Sequence, residues 1–227
     1  ISIPASLTNL NNKNPFRCSG ITNFVVADEN SKYLSEDGIL YEKTDDSTLK
    51  LVAAPTASGN FTIPSSVDGM SVTSLGNQAF FGNLALNGIV IPDSITSGGG
   101  YEFSQCTNLT SVTLSENLTT IPARMFYNAP LTSITIPKNV TIISDNSFGC
   151  DAGKGKLTDV KILGNLSSLH NNGFRNQSIK TLTFGSDVTS IVSNQFGRWP
   201  ALSTVKFEGS NAVTIKEFAF FDNRTNG

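Results

Sequence analysis

Leu109-Thr110-Ser111-Val112-Thr113-Leu114 decides the fold, because its pattern returns five more times along the chain. It recurs as Leu131-Thr-Ser-Ile134-Thr-Ile136, Leu157-Thr-Asp-Val160-Lys-Ile162, Ile179-Lys-Thr-Leu182-Thr-Phe184 and Leu202-Ser-Thr-Val205-Lys-Phe207, and is preceded by Leu86-Asn-Gly-Ile89-Val-Ile91. The leading residues of these units lie 23, 22, 26, 22 and 23 positions apart. Counting from each leader, apolar residues fall at +3, +5, +9 and +12, and Phe falls at +17. One unit reads Leu109, Val112, Leu114, Leu118, Ile121, Phe126, and the next reads Leu131, Ile134, Ile136, Val140, Ile143, Phe148. The units led by Leu157 and Ile179 hold all six positions as well. A fixed period of this length marks a repeat architecture, in which each unit is too small to bury its own apolar face.

The spacing translates into local structure. Alternation at +3 and +5 is strand periodicity, and the β-branched flanks suit a pleated surface. Proline follows at Ile63-Pro64, Ile91-Pro92 and Ile136-Pro137, and it cannot donate to a ladder, so each strand stops there. Stacking neighbouring units in register, with strands roughly 4.8 Å apart, closes one continuous core. The Phe positions 80, 103, 126, 148, 174, 196 and 220 then form a spine along the back. The expectation is a solenoid. Three departures from register are visible. Gly98 replaces the +12 apolar residue within Ser97-Gly98-Gly99-Gly100, which predicts a loose back. Five extra residues surround Asp68-Gly69-Met70 before register returns at Leu75 and Phe80. The last unit gains one residue and recovers at Ile215 and Phe220.

The unit L-T-S-[VI]-T-[LI]-P-x-x-V-T-x-I-x-x-x-x-F resembles the BspA-like leucine-rich repeats, also called the Treponema pallidum type. The match covers nearly the whole chain, and Pro or a small residue stands where plant and animal leucine-rich repeats carry Asn. Asn30 to Tyr41 followed by Leu49 to Pro55 is similar to the hairpin insertion of that family; Asp37-Gly38 reads as a turn, and Thr44 to Ser47 as a second. The resemblance implies a β-rich α/β leucine-rich-repeat solenoid, a right-handed superhelix of 22–23-residue units with short parallel strands. It further implies a secreted or surface-anchored protein of the adhesin type. It transfers no functional residue. One domain over 1–227 is expected: a truncated first unit at 1–20, a unit with the hairpin at 21–57, and repeats from 58 to 227.

The first unit begins midway, with Ile1, Ile3-Pro4, Leu7 and Leu10 at +3, +5, +9 and +12 and Phe16 one place late. The simplest expectation is a mature or shortened chain whose signal peptide or upstream repeats have been removed. Phe220-Phe221-Asp222-Asn223 ends a unit without a polar cap, so either further repeats follow or the apolar end pairs two copies.

Composition excludes several classes of function. The 227 residues carry 16 Lys+Arg and 18 Asp+Glu, a net of −2, which gives no electrostatic footprint for nucleic acid. No apolar run approaches the ~18–20 residues that cross a bilayer as a helix. With one histidine, His170, at a turn beside Asn171-Asn172-Gly173, most imidazole chemistry is absent. No nucleophile elbow, zinc-binding helix, phosphate loop or dinucleotide fingerprint occurs, so no enzyme, cofactor or metal is expected. Cys18, Cys106 and Cys150 each follow a Phe by two or three residues. Cys106 and Cys150 stand two units apart, roughly 10 Å at the strand spacing, too far for a disulfide. They read as structural thiols. Seven N-x-S/T sequons, at Asn60, Asn108, Asn117, Asn139, Asn165, Asn176 and Asn223, arise because the repeat itself writes Asn-Leu-Thr and Asn-Val-Thr. Acidic pairs Asp28-Glu29, Glu36-Asp37 and Asp45-Asp46 serve either as turn-forming solvated charge or as oxygen ligands for calcium.

What remains is surface. With +3 and +5 inside, +2 and +4 point outward: Ser111 and Thr113, Ser133 and Thr135, Asp159 and Lys161, Thr181 and Thr183, Thr204 and Lys206. This ladder either stabilises cross-strand pairs and keeps the face soluble, or forms a ligand face. Phe81, Tyr127 and Trp199 are candidate exposed aromatic contacts. The leading expectation is a non-enzymatic extracellular interaction module binding a host matrix or cell-surface protein. A glycan- or peptide-capturing accessory protein and a purely structural stalk are the alternatives.

Overall fold

A computed structural model of the chain describes residues 1–10, 15–16, 20–193, 195–197 and 199–221. Its regular structure is twenty short strands. Strands Ser133–Ile136, Asp159–Ile162, Thr181–Phe184 and Thr204–Phe207 form one parallel sheet in sequence order, with Ile134, Val160, Leu182 and Val205 side by side. Strands Gly59–Thr62, Leu86–Val90 and Ser111–Thr113 form a second parallel sheet, in which Phe61, Ile89 and Val112 align. The +12 residues lie on two-residue bridges, Thr120–Ile121 on Ile142–Ile143 and Ser168–Leu169, and Ser190–Ile191 on Thr214–Ile215. Each unit is thus one turn of a solenoid.

The α/β expectation is not supported, since no helix occurs among the described residues. The reason is local. The stretch between the bridge and the next strand is a tight turn whose first part adopts left-handed φ at Gln78, Tyr101, Arg124 and Asn146, and such a residue ends a right-handed helical run. The backbone groups of this turn bond to the following unit instead. The Phe80, Phe103, Phe126 and Phe148 N–H groups donate to the carbonyls of Glu102, Met125, Ser147 and Gly173 at 2.8–2.9 Å.

Those phenylalanines form the spine. Rings 80, 103, 126, 148 and 174 stack at centroid separations of 4.7, 5.3, 5.4 and 5.0 Å, the offset arrangement aromatic pairs prefer. The column is then interrupted. Trp199 inserts edge-on between Phe174 and Phe196, 5.2 and 5.3 Å from their rings, and Phe196 stacks on Phe220 at 5.7 Å. Trp199 is therefore a buried spine residue and not an exposed contact.

The insertion folds as expected. Strands Tyr33–Glu36, Ile39–Lys43 and Thr48–Ala53 are antiparallel, and Thr48–Ala53 then joins Met70–Leu75 in parallel. Left-handed Asp37 and Gly38 (φ 51° and 77°) make the first turn, matching the twist that two-residue hairpins need. Asp68 and Gly69 (φ 48° and 75°) turn Ser66–Val67 back onto Met70–Leu75 and absorb the extra residues there. Alternation in Ile39–Lys43 separates two apolar clusters. Ile39 and Tyr41 enter the main core, which runs on to Ala219, whereas Leu40 joins a smaller cluster with Ile3, Phe24 and Tyr33. Strand Ser2–Ile3 pairs with Val25–Val26, so the first unit stacks on the second.

The back near Gly98 is not loose. Ser97–Gly98 pairs with Ser74 and Leu75, and a Cβ on Gly98 would sit 2.2 Å from Oε1 of Glu102. Glu102 is fully buried, and its Oε1 lies where a side chain at position 98 would begin.

Candidate interaction surface

The sheet places the outward ladder as its periodicity predicts, in two parallel rows. Ser133, Asp159, Thr181 and Thr204 are paired across strands, as are Thr135, Lys161, Thr183 and Lys206. Ser111 and Thr113 lie on the adjoining sheet, opposite Gly88 and Val90, beside strand Ser133–Ile136. Ser111, Thr113, Ser133, Thr135, Asp159 and Lys206 are exposed, while Lys161, Thr181, Thr183 and Thr204 are half-buried by their neighbours. Lys161 Nζ reaches across the face to both carboxylate oxygens of Glu208 at 2.8 Å. The face is flat and rich in hydroxyls, and one of its two lysines already holds a partner.

The aromatic candidates separate. Tyr127 belongs to a polar cluster on the back, where its hydroxyl donates to Asp151 Oδ1 at 2.6 Å. Asn128 and Lys154 donate to Asp151 Oδ2, both at 2.9 Å. The hydrogen bond to Asp151 holds the Tyr127 phenol above its ordinary range, and the bonds from Tyr127, Lys154 and Asn128 hold the Asp151 carboxyl well below the usual carboxylate range. The Arg124 guanidinium lies 5.4 and 5.5 Å from the Tyr101 and Tyr127 ring centres, within cation–π reach. Phe81 is half-buried and lines an apolar hollow with Phe24, Ala54 and Pro55.

The remaining candidates are structural. The Cys106 thiol donates to Phe80 O at 3.1 Å, and burial pushes it up to about 12. Cys150 donates to Asn176 O at 3.3 Å, and both thiols are free; Cys18 lies outside the described residues. His170 sits at the surface, its Nδ1 3.1 Å from Asp145 Oδ1. No group of three or more metal-ligating side chains occurs among the described residues. Asp45 uses its carboxylate on its own turn, accepting from Ser47 N, Ser47 Oγ and Thr48 Oγ1 at 2.8, 3.0 and 2.5 Å. Val205, Phe207 and Ile215, inward positions elsewhere, are exposed on the last described turns.

One role escaped the sequence. Asparagines that follow the strands reach back one unit and donate to a carbonyl: Asn117 to Asp93 O at 2.7 Å, Asn139 to Glu116 O at 2.8 Å and Asn211 to Ser186 O at 3.3 Å. They staple successive turns. Their recurrence, at +8 for Asn117 and Asn139 and at +9 for Asn211 in the unit that gains one residue, was the available signal, obscured by its overlap with the sequon pattern.

Stacked parallel turns with a flat polar sheet and an aromatic spine define a leucine-rich-repeat solenoid. The BspA type leucine rich repeat region matches residues 57–152 and 152–226 in six copies, so the chain belongs to that family. The fold is similar to that of a Treponema pallidum leucine rich repeat protein, with TM-score 0.62, 19% identity, and coverage of 78% of this chain and 86% of that one. It is also similar to a leucine rich cell surface protein from Faecalibacterium prausnitzii, with TM-score 0.61, 23% identity and 93% and 48% coverage. The pneumococcal vaccine antigen PcpA gives TM-score 0.60, 19% identity and 96% and 45% coverage. The chain spans about half the length of these last two. No curated protein matches it in sequence.

Proposed function

We propose that the 227 residues act as one non-enzymatic interaction module, secreted or displayed at a bacterial surface, that adheres to a host matrix or cell-surface protein through its hydroxyl-bearing sheet. The family and the cell-surface description of one structural neighbour support the address. The observation that carries the reading is the continuous pair of outward rows from Ser133 to Thr204 and from Thr135 to Lys206. A rigid, flat, polar face spares a partner the cost of ordering it. Self-association through Val205, Phe207 and Ile215 is a further part of this reading, resting on their exposure.

The test is surface-plasmon binding to a panel of immobilised matrix proteins, with Thr135→Arg and Thr183→Arg as paired variants. Binding lost in the double variant, with an unchanged urea midpoint, supports the reading. Binding retained in full would move the partner off this face, and no binding to any of the panel would favour a structural stalk.

A further inference from the structure

Where the hairpin insertion meets the edge of the repeat sheet, the structure forms an open pocket of about 590 Å³, within the size range of sites that hold small ligands. Its rim carries Glu36 and Asp37, at the first hairpin turn, and Thr56, whose Oγ1 donates to Asp37 O at 3.0 Å and ties that turn down. Phe61 and Thr62, on edge strand Gly59–Thr62, also line it. Tyr41 lines it from strand Ile39–Lys43 and is 1% exposed.

Three observations define what this pocket accepts. No lysine, arginine or histidine lines it, and neither Glu36 nor Asp37 has an ion-pair partner among the described residues. The Tyr41 hydroxyl forms no hydrogen bond among the described residues, although buried phenols ordinarily find one. Burial, followed by the Glu36 and Asp37 carboxylates, holds that phenol well above its ordinary range, so it stays a neutral hydroxyl with lone pairs to offer. Two carboxylates, an unused hydroxyl and aromatic and aliphatic side chains lining one pocket suit an apolar stem with a positively charged, hydrogen-bond-donating tip.

We propose that this pocket receives the cationic side chain, lysine or arginine, of a protein partner. Thr62 aligns with Val90 and Thr113, so the pocket opens at the head of an outward row, and a partner lying along the sheet would present such a residue there. An anionic ligand meets two uncompensated carboxylates and is repelled. The proposal rests on the interaction-module reading for the source of the cation. The probes below are free of any partner, so a failed titration removes the pocket while the ladder experiment stands.

The experiment is a titration of the ¹⁵N-labelled protein with Nα-acetyl-lysine methylamide, followed by amide shifts. Nα-acetyl-norleucine methylamide serves as the uncharged match and N-acetylglucosamine as the sugar arm. Saturable shifts confined to the amides around Asp37, Ile39 and Phe61 are expected with the lysine probe alone. Tyr41→Phe, which keeps the ring and the core packing, weakens binding about fivefold, the equivalent of one hydrogen bond. Glu36→Gln with Asp37→Asn weakens it at least about tenfold, and added salt weakens the unmutated protein's binding. The proposal is overturned if the lysine probe gives no saturable shifts at tens of millimolar. It is equally overturned if norleucine or the sugar binds as tightly, or if Tyr41→Phe binds as tightly as the unmutated protein.

Discussion

Glu102 gives the sharpest stability prediction. Its side chain is fully buried; Oε1 accepts the Gly100 N–H at 2.7 Å, and Oε2 has no hydrogen-bond partner among the described residues. Burial pushes its carboxyl from 4.5 up to about 7, a displacement worth about 3 kcal/mol between its two protonation states. Because the folded state holds this proton more tightly than the unfolded chain, the contribution is fully present below pH 4.5. It declines as pH rises through about 7 and is then constant. From pH 5 to pH 8 the protein loses about 2–3 kcal/mol through this group alone. At about 2 kcal/mol per molar urea the midpoint falls by roughly 1 M. Glu102→Gln keeps the shape and removes the titration. Gln195, at the same repeat position, is buried and bonded to Leu166 O at 2.9 Å, which shows that an amide fits. Urea midpoints at both pH values should therefore diverge between the two proteins by that amount, and parallel profiles would refute the reasoning. A packing test runs alongside. Gly98→Leu with Glu102→Ala recreates the Leu75 and Ala79 pairing of an earlier unit and should be more stable than either single change.

Three further outcomes follow from the same geometry. Asn139→Ala removes an inter-turn staple and should cost about 1 kcal/mol in chemical denaturation, whereas no loss would make the Asn column incidental. Tyr127→Phe should leave the fold intact and let the Asp151 carboxyl titrate closer to its ordinary range, read by carboxyl ¹³C shifts; an unmoved titration would mean the hydroxyl bond is not formed. Cys106, its thiol held up near 12 by burial, should react with Ellman's reagent only after unfolding, and rapid reaction in the native protein would contradict its place under the spine.

Much of this architecture could be read before any coordinates. The +3 and +5 alternation located the sheet and both outward rows, the Phe column located the spine, and Asp37-Gly38 located the hairpin turn. Periodicity was silent where a side chain left its template. Trp199 falls outside the six repeated positions, so its burial depended on how the turn after Phe196 curls back. The burial of Glu102 was not legible, because nothing in a linear pattern says that the space beside Gly98 is filled from four residues away. The helix implied by the family's α/β label failed because left-handed residues such as Arg124 and Asn146 break the segment that would carry it. The hairpin pocket joins residues from Glu36 to Val67 across antiparallel and parallel pairings, a juxtaposition that no single repeat encodes.

Phe126 lies between Phe103 and Phe148, 1% exposed, at 5.3 and 5.4 Å from its neighbours. Truncating it tests most directly whether each turn is held by the next. Phe126→Ala should lower the free energy of unfolding by about 3–5 kcal/mol in urea denaturation. A loss below about 1 kcal/mol would mean that these rings do not hold the stack together.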